Sequence, residues 1–250
     1  MKQGFAFWCF EKLLEPRELF FEAAKIGFEG VDLLPESLYG VARDAGLQIS
    51  AVDGHHSIID GLNQRENHTR IEAELLEKLR IAQRWNIPNL ICFSGSKRGL
   101  DFETGAHITA QGLARVAKHA ENAGVNLILE MLNSKVDHPD YQADTTAFGL
   151  RVCELVNSSR VKLLYDIYHM QIMEGDIIRT IEQHHSSFVH YHTAGNPGRH
   201  ELDNNQEINY RPIAKAISRT GFDGFVTHEF VPKSDPIRSL EQAFKLFAST

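Results

Sequence analysis

Eight times along this 250-residue chain, a short apolar run gives way to turn residues and then to a stretch with helical spacing. The strand-like runs fall at Gly4–Phe7, Gly30–Leu33, Gln48–Val52, Asn89–Phe93, Val125–Glu130, Val161–Asp166, Ser187–His192 and Gly224–Glu229. Helical patterns follow at Pro16–Lys25, Ser37–Ala45, Glu66–Trp85, Thr104–Ala123, Asp144–Val156, Gly175–His184, Tyr210–Thr220 and Asp235–Ala248. In the third of these, Ile71, Leu75, Leu79 and Ala82 recur on one helical face. Pro16 suits a first helical turn, and Gly27, Gly46, Gly124 and Gly221 suit stops. Asp144-Thr-Thr reads as a cap. The strand runs are nearly continuous in apolar residues, as parallel strands covered on both faces require. Eight such units in a chain of this length predict an α/β fold, a (β/α)8 TIM barrel, as a single domain over residues 1–250. A doubly wound open sheet is the structural rival. The absence of a Gly-rich fingerprint after the first strand counts against it.

A chain that is 42% hydrophobic and 24% charged can fill such a core without staples. Its net charge of −7 disfavours a nucleic-acid surface as its main partner. Cys9, Cys92 and Cys153 are odd in number and far apart, which predicts free thiols in a reducing compartment. The opening apolar run is too short for a signal peptide, and no stretch approaches the roughly 20 apolar residues of a membrane span. The expectation is a cytoplasmic protein without a membrane partner.

The chemistry lies in the last residues of four strand runs. Parallel strands closing into a barrel bring their C-terminal ends to one mouth. Glu130, Asp166, His192 and Glu229 then meet there. Mutual repulsion makes three carboxylates unfavourable without a cation, so one divalent ion (Mn²⁺, Mg²⁺, Co²⁺ or Zn²⁺) is expected among them. Each residue also has a plainer role open to it. Asp166 could cap the sixth helix, but that helix is expected to begin later, near Glu174 or Asp176. A lone strand-end histidine is usually structural, and only its convergence with the carboxylates makes His192 a ligand. His190 points to the same side one layer deeper and reads as a buried support. The two glutamates could pair with rim cations, but no strand-end Lys or Arg is available in the second half.

Glu130 and Glu229 come from the fifth and eighth strands, which lie across a barrel from each other. A substrate held between them presents one carbon face to each, so the pair can take and return a carbon-bound proton. His169 lies three residues beyond Asp166, where it could touch a substrate oxygen. Arg199, in the Gly195–Asn205 loop, could hold a carboxylate or hydroxyl. His55 and His56 follow the third strand and could line the pocket, although a solvated pair is the plainer reading. Trp8 and Phe7 could form an apolar wall. Lys97 and Arg98 are weaker anion-holding candidates.

Leu164-Tyr-Asp-Ile-Tyr-His-Met-Gln-Ile-Met-Glu-Gly175 resembles a specific stretch of the xylose-isomerase-like sugar isomerases and epimerases, and within them the hydroxypyruvate isomerases. Glu130-Met-Leu-Asn133 and Glu207-Ile-Asn-Tyr210 carry the same resemblance, which spans essentially the whole chain. It implies a TIM barrel holding one divalent metal at Glu130, Asp166, His192 and Glu229. It further implies the two glutamates as the acid/base pair, substrate contacts at His169 and Arg199, and a homo-oligomer. Hydroxypyruvate isomerases typically carry Gln where this chain has His192, whereas ketose 3-epimerases carry His. The expected function is therefore a metal-dependent aldose–ketose isomerase working through an enediolate on a small hydroxy-carbonyl acid or sugar. For hydroxypyruvate the product is tartronate semialdehyde. C3 epimerisation of a ketose is the first alternative. An abasic-site endonuclease and a non-catalytic sugar-binding barrel are more distant ones.

Overall fold

The computed structural model describes residues 1–248. Residues 249 and 250, within the expected domain range, lie outside them. The strands are β1 (Lys2–Ala6), β2 (Gly30–Asp32), β3 (Gln48–Asp53), β4 (Asn89–Cys92), β5 (Asn126–Glu130), β6 (Val161–Asp166), β7 (Phe188–Thr193) and β8 (Phe225–His228). All pair in parallel in sequence order, and β8 returns to β1 to close the barrel. The TIM barrel expected from the alternating pattern is the observed fold.

Helices cover the outside. They are α1 (Pro16–Ile26), α2 (Tyr39–Asp44), α3 (His68–Trp85), α4 (Phe102–Ala123), α5 (Thr146–Val156), α6 (Ile167–Met173), α7 (Ile177–His184), α8 (Tyr210–Arg219) and α9 (Pro236–Ala248). Pro16 starts α1, and Gly27 ends it in the left-handed region at φ 118°. One cap and one helix start differ from expectation. Thr145 rather than Asp144 caps α5, accepting from Phe148 N at 3.3 Å. Asp144 instead takes Lys97 Nζ at 2.8 Å and Ser134 Oγ at 2.6 Å, tying two catalytic-side loops together. The fourth helix begins at Phe102 because Asp101 accepts from Thr104 N at 2.9 Å.

The larger difference is at the sixth unit. A short helix, α6, starts directly after β6, and α7 follows only after the turn at Gly175. Asp166 caps α6, accepting from His169 N at 3.0 Å. The capping role set aside from sequence is therefore real. A carboxylate has four lone-pair sites, so one oxygen caps while the other still faces the barrel mouth.

The barrel interior carries a polar layer rather than an all-apolar one. Ser50, Asp32, His190 and Thr227 are fully buried there. Ser50 Oγ and His190 Nε2 both bond Asp32, the latter at 2.6 Å. Asn89 Nδ2 lies 3.4 Å from His190 Nδ1. Two inward glycines make room. A Cβ on Gly30 would stand 2.5 Å from the Phe225 ring and 2.8 Å from Ser50 Oγ; one on Gly4 would stand 3.0 Å from Thr227 Oγ1. Such sub-contact distances exclude any larger residue without strain.

Candidate active site and metal centre

Register decides which strand-end groups become neighbours. Asp166 on β6 pairs with His192 on β7, and His192 with Thr227 on β8. Glu229 then lies one residue past β8, and its backbone N–H bonds Thr193 O at 2.8 Å. Glu130 ends β5 beside β6. One ligand-capable atom from each of Glu130, Asp166, His192 and Glu229 lies within 4.8 Å of the others. All four residues are buried.

His192 shows the chemistry of this arrangement. Its Nε2 sits 3.1 Å from Asp32 Oδ2. Burial would push Asp32 up, but His190 and His192 together hold its carboxyl well below the usual carboxylate range, so it is ionised and can only accept. Nε2 therefore carries the proton, and Nδ1 turns to the acidic cluster, 2.9 Å from Glu229 Oε2 and 3.3 Å from Glu130 Oε1. No described residue meets hydrogen-bond geometry with the buried Nδ1. An imidazole nitrogen aimed into three carboxylates is the donor set of a divalent-cation site, and the residues fit such an ion. Burial lowers the basicity of His192, but Glu229, Asp32 and Glu130 raise it well above the ordinary histidine value. Burial also lifts the Asp166 carboxyl to about 7, with Arg199 pulling the other way.

Arg199 enters the site from the β7–α8 loop. Its Nη2 lies 2.5 Å from Glu229 Oε2 and 3.9 Å from Asp166 Oδ2. The guanidinium stands over Trp8 at 5.4 Å and Tyr168 at 5.5 Å. Trp8 Nε1 donates to Glu229 Oε1 at 2.7 Å, so both oxygens of this carboxylate are held. Burial would raise the Glu229 carboxyl, but Arg199 and His192 bring it well below its usual value. The loop itself is pinned by Glu201, which accepts from Lys233 N at 2.8 Å and from Ser239 Oγ at 3.0 Å.

A cavity of about 340 Å³ opens over Glu130 and Glu229. Trp8, Leu33, Ile58, Phe93 and Leu132 give it apolar walls, and Asp53, His138 and Arg199 add polar groups. A larger hollow of about 440 Å³ lies at the other end of the barrel, between Asn89, Phe188 and Phe225. Among the described residues, only the mouth combines a cavity with the four ligand-capable groups.

Not every predicted contact is brought here. His56 is exposed and bonds Glu74 Oε1 at 2.8 Å, outside the cavity lining. His55 is buried and accepts from Phe93 N at 2.9 Å, a structural use. Phe7 turns into the core against Phe20, with ring centroids 5.6 Å apart, so of the two aromatics only Trp8 lines the cavity. Lys97 pairs with Asp144 and Arg98 with Asp60, so neither is a free anion site. His169 is fully buried beside Asp166, its Nε2 3.7 Å from Asp166 Oδ2. Its Nδ1 takes Asn133 Nδ2 at 2.6 Å and Asn133 N at 3.2 Å, which fixes the proton on Nε2.

Three polar residues at this site, Asp32, Asp53 and His138, were not found from sequence. Asp32 ends a strand of three residues, Gly-Val-Asp, in the first half of the chain. It obeys the same strand-end rule as the four ligand candidates, and that was the available signal. His138 lies in the long loop after β5, on the catalytic side, flanked by Asp137 and Pro139.

Residues 20–250 match the family model described as xylose isomerase-like TIM barrel. The chain belongs to that family. The human protein that carries a hydroxypyruvate isomerase name is 25% identical over 93% of this chain and 90% of its own length. The 2-oxo-tetronate isomerase of Cupriavidus necator is 32% identical over 50% of this chain and 47% of its own, so that alignment spans about half of either protein. Among solved structures, an AP endonuclease, family 2, from Brucella melitensis superposes with a TM-score of 0.84. It is 24% identical, with 96% of this chain and 97% of that one covered, and shares the fold. Relatives of this chain include proteins named as isomerases. No described helix is long and apolar enough to cross a membrane.

Proposed function

We propose that this protein is a metal-dependent aldose–ketose isomerase acting on a small α-hydroxy-carbonyl compound, with hydroxypyruvate as the first substrate to test. The observation that carries this is His192 Nδ1, aimed between Glu130 and Glu229 with Asp166 beside them. Glu130, Asp166, His192 and Glu229 would hold one divalent ion. When bound, that ion supplies Lewis-acid polarisation of the substrate carbonyl, which acidifies the neighbouring C–H.

The chain's own groups would do the rest. One of the two glutamates removes the proton from the carbon next to the carbonyl, giving an enediolate, and a carboxylate returns a proton to the former carbonyl carbon. Trp8 and Arg199 hold Glu229 by both oxygens, which fixes its aim. The Nε2–H of His169 is a fixed donor for a substrate oxygen. The apolar walls displace water from the enediolate, where it would otherwise be protonated at random. Trp8, His169 and Arg199 are thus the proposed substrate contacts, and His56 is not among them.

A second reading, C3 epimerisation of a ketose, draws on the same two carboxylates, set at the ends of β5 and β8, one for each face of the carbon. Proton exchange separates the two. The metal-loaded protein is incubated in D₂O with hydroxypyruvate and with a panel of small ketoses, and the metal is removed before NMR spectra are taken. Deuterium uptake with a new aldehyde supports the isomerase. Uptake at C3 with a new diastereomer assigns the epimerase. No uptake with any panel member, despite bound metal, removes both.

A further inference from the structure

Moving a carbonyl between adjacent carbons needs two proton transfers of different kinds. One carries a proton from carbon to carbon, which Glu130 and Glu229 are placed to perform. The other carries the hydroxyl proton from one oxygen to its neighbour, and neither glutamate is spare for it. We propose that His138 is the catalytic residue that carries this oxygen-bound proton; the assignment rests on the isomerase function proposed above.

The groups around the cavity leave few candidates. Arg199 stays charged and is held by Glu229 at 2.5 Å. Trp8 Nε1 is spent on Glu229 at 2.7 Å. The Tyr168 hydroxyl donates to Asp137 Oδ2 at 2.8 Å. His169 receives two donors on Nδ1, so it can donate from Nε2 but has no free nitrogen to accept. Asp53 is one more carboxylate facing a negatively charged enediolate. His138 differs from all of these. It lines the cavity, and no described residue hydrogen-bonds its ring nitrogens. A neutral imidazole can accept at one nitrogen and donate from the other.

The ring is also held in place. It packs at a steep angle against the His169 ring, with centroids 5.4 Å apart. The backbone of its loop is anchored at both ends. Asn133 Oδ1 accepts from Val136 N at 3.0 Å and Asp137 N at 2.9 Å, and His138 N donates to Asn133 O at 3.1 Å. Further on, Tyr141 Oη donates to Glu130 O and accepts from Ser94 N, both at 3.0 Å. One residue, Asn133, therefore positions both histidines. Its backbone and amide donors lock His169 while its oxygen shapes the turn carrying His138. Fixed geometry of this kind is what makes a proton relay efficient.

The balance is complete without a co-reactant. A glutamate takes the hydroxymethyl C–H proton, the C–H pair becomes the C=C bond, and the carbonyl π pair moves to its oxygen. His138 accepts the proton of the neighbouring hydroxyl and gives one to the former carbonyl oxygen. The new alkoxide collapses to the aldehyde, and the C=C pair takes a proton from a carboxylate at the adjacent carbon.

His138→Gln and His138→Ala separate the two transfers. In D₂O with metal-loaded protein and hydroxypyruvate, or a ketose that the wild type isomerises, carbon-proton exchange should stay within about threefold of wild type. Aldehyde formation should fall about 10²-fold, the usual range for loss of a general acid/base. Added imidazole should restore part of it in His138→Ala, and metal affinity by calorimetry should be unchanged. Equal retention of exchange and conversion would overturn the assignment, as would their equal loss in both variants with folding intact. A wild-type protein that exchanges without forming aldehyde, or does not exchange at all, instead sinks the isomerase function itself.

Discussion

Asp32 Oδ2 accepts from His190 Nε2 at 2.6 Å and lies 3.1 Å from His192 Nε2, so one carboxylate on β2 sets the ring of a ligand candidate on β7. This is the carboxylate–histidine arrangement that fixes tautomer and orientation in metal sites. Asp32→Ala should weaken Zn²⁺ or Mn²⁺ binding by about 10–100-fold. Asp166→Ala, which removes a ligand, should cost more. Titration calorimetry on the folded variants gives both values. Wild-type affinity in Asp32→Ala would mean that the β7 strand alone orients His192.

Glu130→Gln and Glu229→Gln each preserve shape while removing a base. Turnover should drop by about 10² or more in each. Steady-state kinetics at saturating metal is the check, with metal content measured in parallel. A variant that keeps both its metal and near-normal turnover would take that glutamate out of the acid/base pair.

Two buried histidines predict acid sensitivity. Burial lowers His55 to about 4 and His228 to about 3. Their unfolded value is about 6.5. The unfolded chain therefore takes up protons that the folded chain refuses. Stability is complete above about pH 6.5 and declines as pH falls toward 4 for His55 and 3 for His228, by up to about 1.4 kcal/mol per pH unit for each ring. Urea midpoints at pH 7 and pH 5 measure this. His55→Gln keeps an acceptor for Phe93 N and should flatten part of the slope; an unchanged slope would exclude His55 as a contributor.

Gly30 and Gly40 make a contrasting pair. A Cβ on Gly30 meets the Phe225 ring at 2.5 Å, whereas one on Gly40 meets nothing within 4 Å. Gly30→Ala should destabilise by about 1–3 kcal/mol through overpacking. Gly40→Ala, within α2, should be neutral or stabilise by about 0.5–1 kcal/mol. Thermal melts of the two variants test the pair, and a stable Gly30→Ala would show that the inner layer can yield.

The barrel was legible in the sequence because its signals are local. Apolar runs, helical spacing and punctuating Gly and Pro repeat in every unit, and eight parallel strands have one common way to close. Glu130, Asp166, His192 and Glu229 were legible for the same reason: chain direction alone sends strand ends to one mouth. What tertiary structure decided depends on register and loop path, which no local pattern carries. The pairing of Asp166 with His192, and the reach of Asp32 across the barrel to that same ring, follow from strand register. Loop anchors place His138 over the cavity and Arg199 on Glu229, while the bond to Glu74 takes His56 away. Asp166 shows both levels in one residue. The sequence offered a cap or a ligand as alternatives, and a side chain with two oxygens lets the fold cap α6 with one and face the acidic cluster with the other.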